Sequence, residues 1–481
     1  MKNSILKNYI YNLIYQIVVI ILPLITTPYL SRVLGAENIG IYSYTLSIVT
    51  YFILIGSLGV AMYGQREIAY LQNDKKGRSK KFWEIVIFRM ITLMISMVIF
   101  YFTYAASGEY KVYYQIFLLE IFANIFDISW FFQGMEDFKK TVGRNLIIRI
   151  LSVILIFILV KDQDDLAKYI IIYVLTTFIG NISLWFYLPK YIQKVSLKHL
   201  NIIQHIKPTI SLFIPQVATQ IYTVLDKTMI GSILGDMSEV GYYEQGQKIT
   251  KLTLAIITAL GTVVAPRIAN TFKDGNKEEI NQYLNRSFKF VWLLACPMIA
   301  GLIVVSSNFV PIFYGDGYDK VATILCVISP LILAIGLNNV TGVQYLIQVK
   351  KQRIYTITVV IGAIVNIVLN FILINIFKSV GAAIASVFAE TAILIAQLIF
   401  VRKDINIKNV YKGAWKYILS SIIMFIFTIL LKDITNNQFY NLIIQIVTGS
   451  CIYFVILFIL KDEFFKDVIQ RVLNKFKQKR A

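Results

Sequence analysis

The sequence predicts an all-α polytopic membrane protein with about fourteen transmembrane helices, and three observations predict it. Its 481 residues are 57% hydrophobic and only 15% charged, with a mean hydropathy of +0.67. Apolar runs of about twenty residues, the length that crosses a bilayer core, recur from end to end. Lys and Arg gather in alternate connections, as they do where basic loops stay on the cytoplasmic side.

In chain order the spans are expected at 9–32, 39–63, 83–105, 113–133, 143–160, 168–189, 209–232, 240–266, 287–306, 320–346, 354–376, 380–401, 414–431 and 441–460. With the N-terminus inside, the connection after the second span carries Arg66, Lys75, Lys76, Arg78, Lys80 and Lys81, and the one after the fourth carries Lys139, Lys140 and Arg144. The alternation continues through Lys190, Lys194, Lys198 and Lys207, then Lys273 and Lys277, Lys350, Lys351 and Arg353, and Arg402, Lys403, Lys408 and Lys412. The tail from Lys461 to Arg480 is basic as well, so both termini are expected in the cytoplasm. The net charge of +20 follows from this topology facing an anionic inner leaflet, and no nucleic acid is needed to explain it. Lys2 and Lys7 precede a run too long for a cleavable signal, so the first span is read as uncleaved.

Catalytic chemistry finds little to work with. His199 and His205 are the only histidines, both in the inner connection 190–208, and Cys296, Cys326 and Cys451 lie in separate spans without pairing or metal-ligand spacing. There is no Walker A sequence, no GxSxG and no acidic cluster suited to a metal-dependent glycosyltransferase. The expectation is a protein that is not an enzyme and carries no cofactor or metal. The longest connections, 64–82, 190–208 and 267–286, are too short for a folded domain, so function is expected inside the bundle.

An internal repeat organises the chain. LGAENIGIY, from Leu34, matches LGDMSEVGYY, from Leu234, and LGVAMYGQREIA, from Leu58, matches LGTVVAPRIA, from Leu260. The basic segment KYIQKVSLKHLNIIQHIKP separates the halves. This gives a first six-helix half over 1–190, a cytoplasmic linker over 191–208, a second half over 209–402, two further helices over 403–460 and a basic amphipathic tail over 461–481.

A charge near the bilayer centre costs about 3 kcal/mol and usually faces the bundle interior. The spans contain Glu84, Arg89, Glu120, Asp127, Arg149, Asp226, Lys227, Glu244, Lys248, Lys251 and Glu390. Glu84 sits at a helix end. Arg89 and Arg149 lie close enough to the inner boundary to reach either the interface or a cavity, and Asp127 is at a depth where it can pair with an arginine. In GYYEQGQKITK, Glu244, Lys248 and Lys251 share one helical face, and with Asp226 and Lys227 they leave a surplus of positive charge. Arg66 and Arg267 occupy equivalent inner ends of the two halves. Pro23, Pro28 and Pro215 are expected to interrupt the first and seventh helices.

PLITTPYLSRVLGAENIGIYSYTLSIVTYF, from Pro23, GSLGVAMYGQREIA, from Gly56, DISWFFQGMEDFKKTVGRN, from Asp127, and SVGAAIASVFAE, ending at Glu390, resemble segments of bacterial oligosaccharide flippases of the polysaccharide transporter family. The resemblance implies two pseudo-symmetric six-helix lobes around a central cavity plus two C-terminal helices, working by alternating access in the bacterial cytoplasmic membrane. It implies as cargo an undecaprenyl-diphosphate oligosaccharide, moved from the inner to the outer leaflet for surface polysaccharide (capsule, exopolysaccharide or O-antigen), with membrane lipid, a glycan polymerase and glycosyltransferases as candidate partners. Lys227, Lys248, Lys251, Arg89, Arg149, Arg66 and Arg267 are the cations expected to bind the diphosphate. Asp127, Asp226, Glu244, Glu390 and Glu120 are candidates for proton or sodium coupling or for structural pairing. Two rival readings stand beside this one: a cation-coupled multidrug exporter, and a non-transporting scaffold for glycan assembly.

Overall fold

A computed structural model describes residues 2–196 and 200–478; the side chains of 2–17, 19, 20, 211, 212, 214–223, 409, 472, 473 and 475–478 lie outside that description. His199 and Lys198 of the linker, Lys479 and Arg480 of the tail, and the side chain of Pro215 therefore lie outside the described residues.

The described chain packs into two units, Met1–Gly241 and Tyr242–Ala481. The first holds α1 (Lys2–Ser57), α2 (Val60–Tyr70), α3 (Lys75–Phe100), α4 (Lys111–Ile125), the short α5 (Ser129–Gly134), α6 (Phe138–Leu159), α7 (Leu166–Ser183) and α8 (Ile206–Leu234). The second runs from α9 (Met237–Lys273) through α10 (Lys277–Tyr314), α11 (Asp319–Ile328), α12 (Leu331–Asn338), α13 (Gln352–Phe377), α14 (Ser379–Val401), α15 (Lys408–Tyr411), α16 (Ala414–Ile429) and α17 (Gln438–Ile459) to α18 (Glu463–Gln478). Every stretch expected to span is mostly helical, with breaks inside 39–63, 113–133 and 320–346. Among the described residues ten helical stretches are long and apolar enough to cross a bilayer, and the pair α11 and α12, bent by 41°, makes an eleventh.

The bend in α1 is not where the prolines are. Pro23 and Pro28 lie inside the helix, and the non-helical residue is Gly35, with φ 75° and ψ 171°. A proline removes one hydrogen bond, whereas positive φ turns the chain, and glycine reaches it without steric penalty. Gly235, its repeat partner, has φ 67° and ends α8. The second repeated Leu-Gly pair behaves differently in the two halves. Leu58 (φ 45°) and Gly59 (φ 74°) break α1 from α2, while Leu260 and Gly261 stay helical inside α9. A further equivalence escapes the sequence: Glu136 (φ 57°) and Lys350 (φ 60°) are left-handed residues at matching ends of the fourth and tenth spans.

The WFFQG segment is a packing device. Trp130, Phe131 and Phe132 are buried, and α5 lies against α2 so closely that a Cβ on Gly64 would meet the Trp130 ring at 2.4 Å. Gly134 likewise faces the Gln65 carbonyl, at 2.7 Å from where its Cβ would be. Two glycines thus bring the helices within backbone reach around a cluster of rings. In the second unit Tyr453 of α17 donates from its hydroxyl to the Leu293 carbonyl of α10 at 2.8 Å. Asp462 caps α18, accepting from the Phe465 amide at 2.8 Å and the Tyr417 hydroxyl at 3.1 Å. Outward faces carry rows such as Ile91, Ile95 and Ile99 of α3 and Ile364, Val368 and Phe371 of α13. Such rows suit lipid and would be an aggregation liability in water.

Candidate functional site

A polar cavity of about 370 Å³ opens within the first unit. Three elements line it, each by helical spacing: Pro23 and Thr26 from α1, Arg144, Ile148, Arg149 and Ser152 from α6, and Tyr173, Thr176, Thr177 and Asn181 from α7. Arg144 is held in place, with Nη1 donating to Asn181 Oδ1 at 2.9 Å and to the Gly180 carbonyl at 3.1 Å. Two guanidiniums, hydroxyls and an amide facing one space in an apolar bundle form an anion-receptive and sugar-receptive surface. Arg149 is the one of these two read from the sequence as able to reach either the interface or a cavity. Arg144 was read as an inner-loop anchor, and its five-residue spacing to Arg149 is not the three- or four-residue spacing that marks a shared helical face.

Behind the α7 wall of this cavity lies Glu120 of α4. It is 5% exposed, and its Oε2 has no hydrogen-bond partner. Thr177, which lines the cavity, stands beside it, with its hydroxyl donating to the Tyr173 carbonyl at 2.9 Å. Tyr42 packs beside it, with ring centroids 4.8 Å from Tyr169 and 6.0 Å from Tyr173. Tyr173 is within electrostatic reach of both Glu120 and Arg149.

The remaining expected residues divide into several groups. Arg89 and Asp127 meet: Nη1 donates to the Asp127 carbonyl at 2.9 Å and Nη2 lies 3.7 Å from Oδ2. Asp127 Oδ1 also accepts from the Ser129 amide at 3.0 Å, at the start of α5. The pair fixes the α4 to α5 break. Asp226 is buried and Lys227 half-buried on α8, beside a hydroxyl seam with α1 in which Ser47 meets Thr228 at 2.7 Å, Tyr51 meets Thr228 at 3.0 Å and Tyr44 meets Ser232 at 3.2 Å. In the second unit Lys251 donates to Gln247 Oε1 at 2.8 Å. Lys248 and Glu244 are half-buried on the same helix. Glu390 of α14 accepts from Asn338 Nδ2 at 2.6 Å on its carboxylate and at 3.0 Å on its carbonyl. Thr341 bonds Gln397, which reaches Thr358 at 3.4 Å, continuing a buried polar ladder. Arg66 lies 3.2 Å from Glu67 and over the Tyr63 ring, and Arg267 is exposed.

One buried network was not anticipated. Glu84, read as a helix end, is fully buried and accepts from the Asn201 amide at 2.8 Å and from Gln204 Nε2 at 2.9 Å. His205 places Nε2 3.1 Å from Glu84 and Nδ1 2.8 Å from the Tyr63 hydroxyl. Burial pushes the His205 imidazole below its ordinary value, against the opposing pull of Glu84. These bonds tie the 201–205 connection to α2 and α3. Among the described residues no group of three or more His, Cys, Asp or Glu could hold a metal ion.

Comparison with known proteins gives two family matches, one described as "Polysaccharide biosynthesis protein" over residues 5–272 and one as "Lipid II flippase MurJ" over residues 146–449. A "Putative O-antigen transporter" of Escherichia coli (strain K12) is 26% identical over 408 residues, covering 84% of this chain and 98% of that protein. A "Probable low-salt glycan biosynthesis flippase Agl15" of Haloferax volcanii is 24% identical over 255 residues, 52% of this chain and 54% of its own length. Among solved structures, one titled "Lipid II flippase MurJ, inward closed conformation" superposes with a TM-score of 0.77 at 21% identity, covering 96% of this chain and 100% of that one. A multidrug resistance MATE family transporter in an inward-facing conformation gives 0.62 at 13% identity, covering 82% and 99%. These structural likenesses bear on the fold.

Proposed function

Because the chain belongs to the polysaccharide biosynthesis protein family, the polysaccharide transporters among the flippases, we propose that it moves undecaprenyl-diphosphate-linked oligosaccharide repeat units from the inner to the outer leaflet of the bacterial cytoplasmic membrane. That it is a multi-pass membrane protein of the lipid-linked glycan flippase type follows from the family; the cargo, the direction and the site are the proposal. The observation that carries it is the cavity shared by Arg144 and Arg149 with hydroxyl and amide side chains inside an otherwise apolar bundle.

In this reading the arginines meet the diphosphate, whose oxygens take paired N–H donors well. Thr26, Ser152, Thr176 and Asn181 offer hydrogen bonds to the first sugar, while the lipid tail stays in the bilayer. Arg66 and Arg267 serve the inner approach, and Lys227, Lys248 and Lys251 serve as later cationic stations during alternating access. An inside-negative potential favours outward movement of the anion by roughly 2.3 kcal/mol per charge per 100 mV. Both termini lie in the cytoplasm, and the polymer supplied is capsule, exopolysaccharide or O-antigen, built with a polymerase and glycosyltransferases as partners.

The test is reconstitution into vesicles with a fluorescent undecaprenyl-diphosphate oligosaccharide. Protein-dependent movement between leaflets supports the proposal. Failure with every such lipid, together with ion-driven uptake of an organic cation, transfers the assignment to a multidrug exporter; failure of both leaves the scaffold reading.

A further inference from the structure

The group that the proposed function leaves unused is Glu120. Beside its carboxyl stand Tyr42 from α1 and Tyr173 and Thr177 from α7, with Tyr169 packed on Tyr42. Of the two arginines on α3, Arg78 donates to the Tyr191 and Gln72 carbonyls and Arg89 is bound to Asp127, just past the end of α4, and Tyr104 from the π-helical turn at 101–105 packs instead on Tyr114. Among the described residues no cation lies within ion-pairing distance of it, and Oε2 accepts nothing. An ionised carboxylate in such a place keeps neither hydration nor compensation, whereas the protonated acid is neutral there. The surroundings also offer too few oxygens to hold a metal cation by coordination. The cavity wall is shared: Thr177 and Tyr173 line the cavity and stand beside Glu120, and Arg149, also in the lining, is within electrostatic reach of Tyr173.

We infer that Glu120 is a proton-binding site whose occupancy sets the affinity of the Arg144 and Arg149 cavity for an anion. With Glu120 protonated the two arginines keep their full positive field; when the proton leaves, a negative charge appears behind the wall and weakens the anion's hold. Linkage is reciprocal, so a bound anion also tightens the proton. Proton and anionic headgroup therefore strengthen each other's binding at this cavity. The inference rests on the reading of this cavity as the anion subsite.

Binding of inorganic pyrophosphate to the full-length protein in nanodiscs, measured by calorimetry across neutral pH, tests it. Wild type is expected to lose affinity as pH rises, approaching tenfold per pH unit for one linked proton, while Glu120→Gln binds tightly with a flatter profile. The probe's own ionisation is common to both proteins and cancels in their ratio. Arg149→Ala should abolish binding in either background. Identical pH profiles for wild type and Glu120→Gln overturn the inference while leaving the cavity reading intact; absence of arginine-dependent binding overturns both. An infrared carbonyl band of a protonated carboxylic acid, present near neutral pH and lost in Glu120→Gln, checks the proton independently of any ligand, and its absence from wild type would also overturn the inference.

Discussion

The two halves of this protein each bury a carboxylate in the same pair of spans, and they treat it in opposite ways. In the first unit Glu120 stands on the fourth span with Thr177 of the sixth as its neighbour, among tyrosine rings, with one oxygen unbonded. In the second, Glu390 stands on the twelfth span and is bonded by Asn338 of the tenth, within a ladder that continues through Thr341, Gln397 and Thr358. The acid has changed helices, and its surroundings have changed from rings to amides. Glu390 is bonded by an amide; Glu120 stands near an arginine-lined cavity with one oxygen that no group satisfies.

The comparison can be broken most readily at the cavity. Arg149→Ala should reduce lipid-diphosphate movement by a hundredfold or so, about 3 kcal/mol of lost charge-assisted bonding, with little change in thermal unfolding. Asn338→Ala should do the reverse. Stripping the donor from a buried carboxylate costs about 2 kcal/mol, visible as a lower unfolding temperature in detergent, whereas Glu390→Gln, which keeps a hydrogen-bonding group, should cost less. A third carboxylate sharpens the contrast through pH. His205 beside Glu84 is held neutral in the folded protein, while the unfolded chain takes up a proton near pH 6.5. Stability is therefore complete above that value and falls as pH drops below it, by at most about 1.4 kcal/mol per pH unit; His205→Asn should flatten that slope in denaturant titrations. The smallest effect is expected from Glu120→Gln on stability, within about 1 kcal/mol of wild type and of either sign, because no bond to a cation is lost.

Much of this was legible in the sequence because hydropathy and loop charge are local properties. The expected spans are mostly helix, and the depth of Asp127 suggested a pairing with an arginine, which is Arg89. The Leu-Gly repeat was also visible, but its conformational meaning was not: Gly35 and Gly235 are both left-handed, while Gly59 is left-handed and Gly261 is helical. The same two letters serve a break in one half and a close contact in the other, where a Cβ on Gly261 would meet Asn339 at 2.6 Å. Pro23 and Pro28 misled because a long helix tolerates them when its turn is made elsewhere, at Gly35. Arg144 was hidden by the positive-inside rule, which explains a basic residue at a helix end without asking which way it faces. Glu120 was visible as an anomaly of depth, but Thr177 and the tyrosines come from other helices, and only packing assembles them. Glu84 and His205 lie 121 residues apart, beyond any local pattern.

The central claim is that the arginine-lined cavity of the first unit handles the anionic headgroup. Leaflet-to-leaflet movement of an undecaprenyl-diphosphate oligosaccharide in vesicles should be compared between wild type and Arg149→Ala, with matched protein content and unfolding temperatures. The account predicts movement by wild type and near-background movement by the variant. A variant that moves the lipid at the wild-type rate would contradict it.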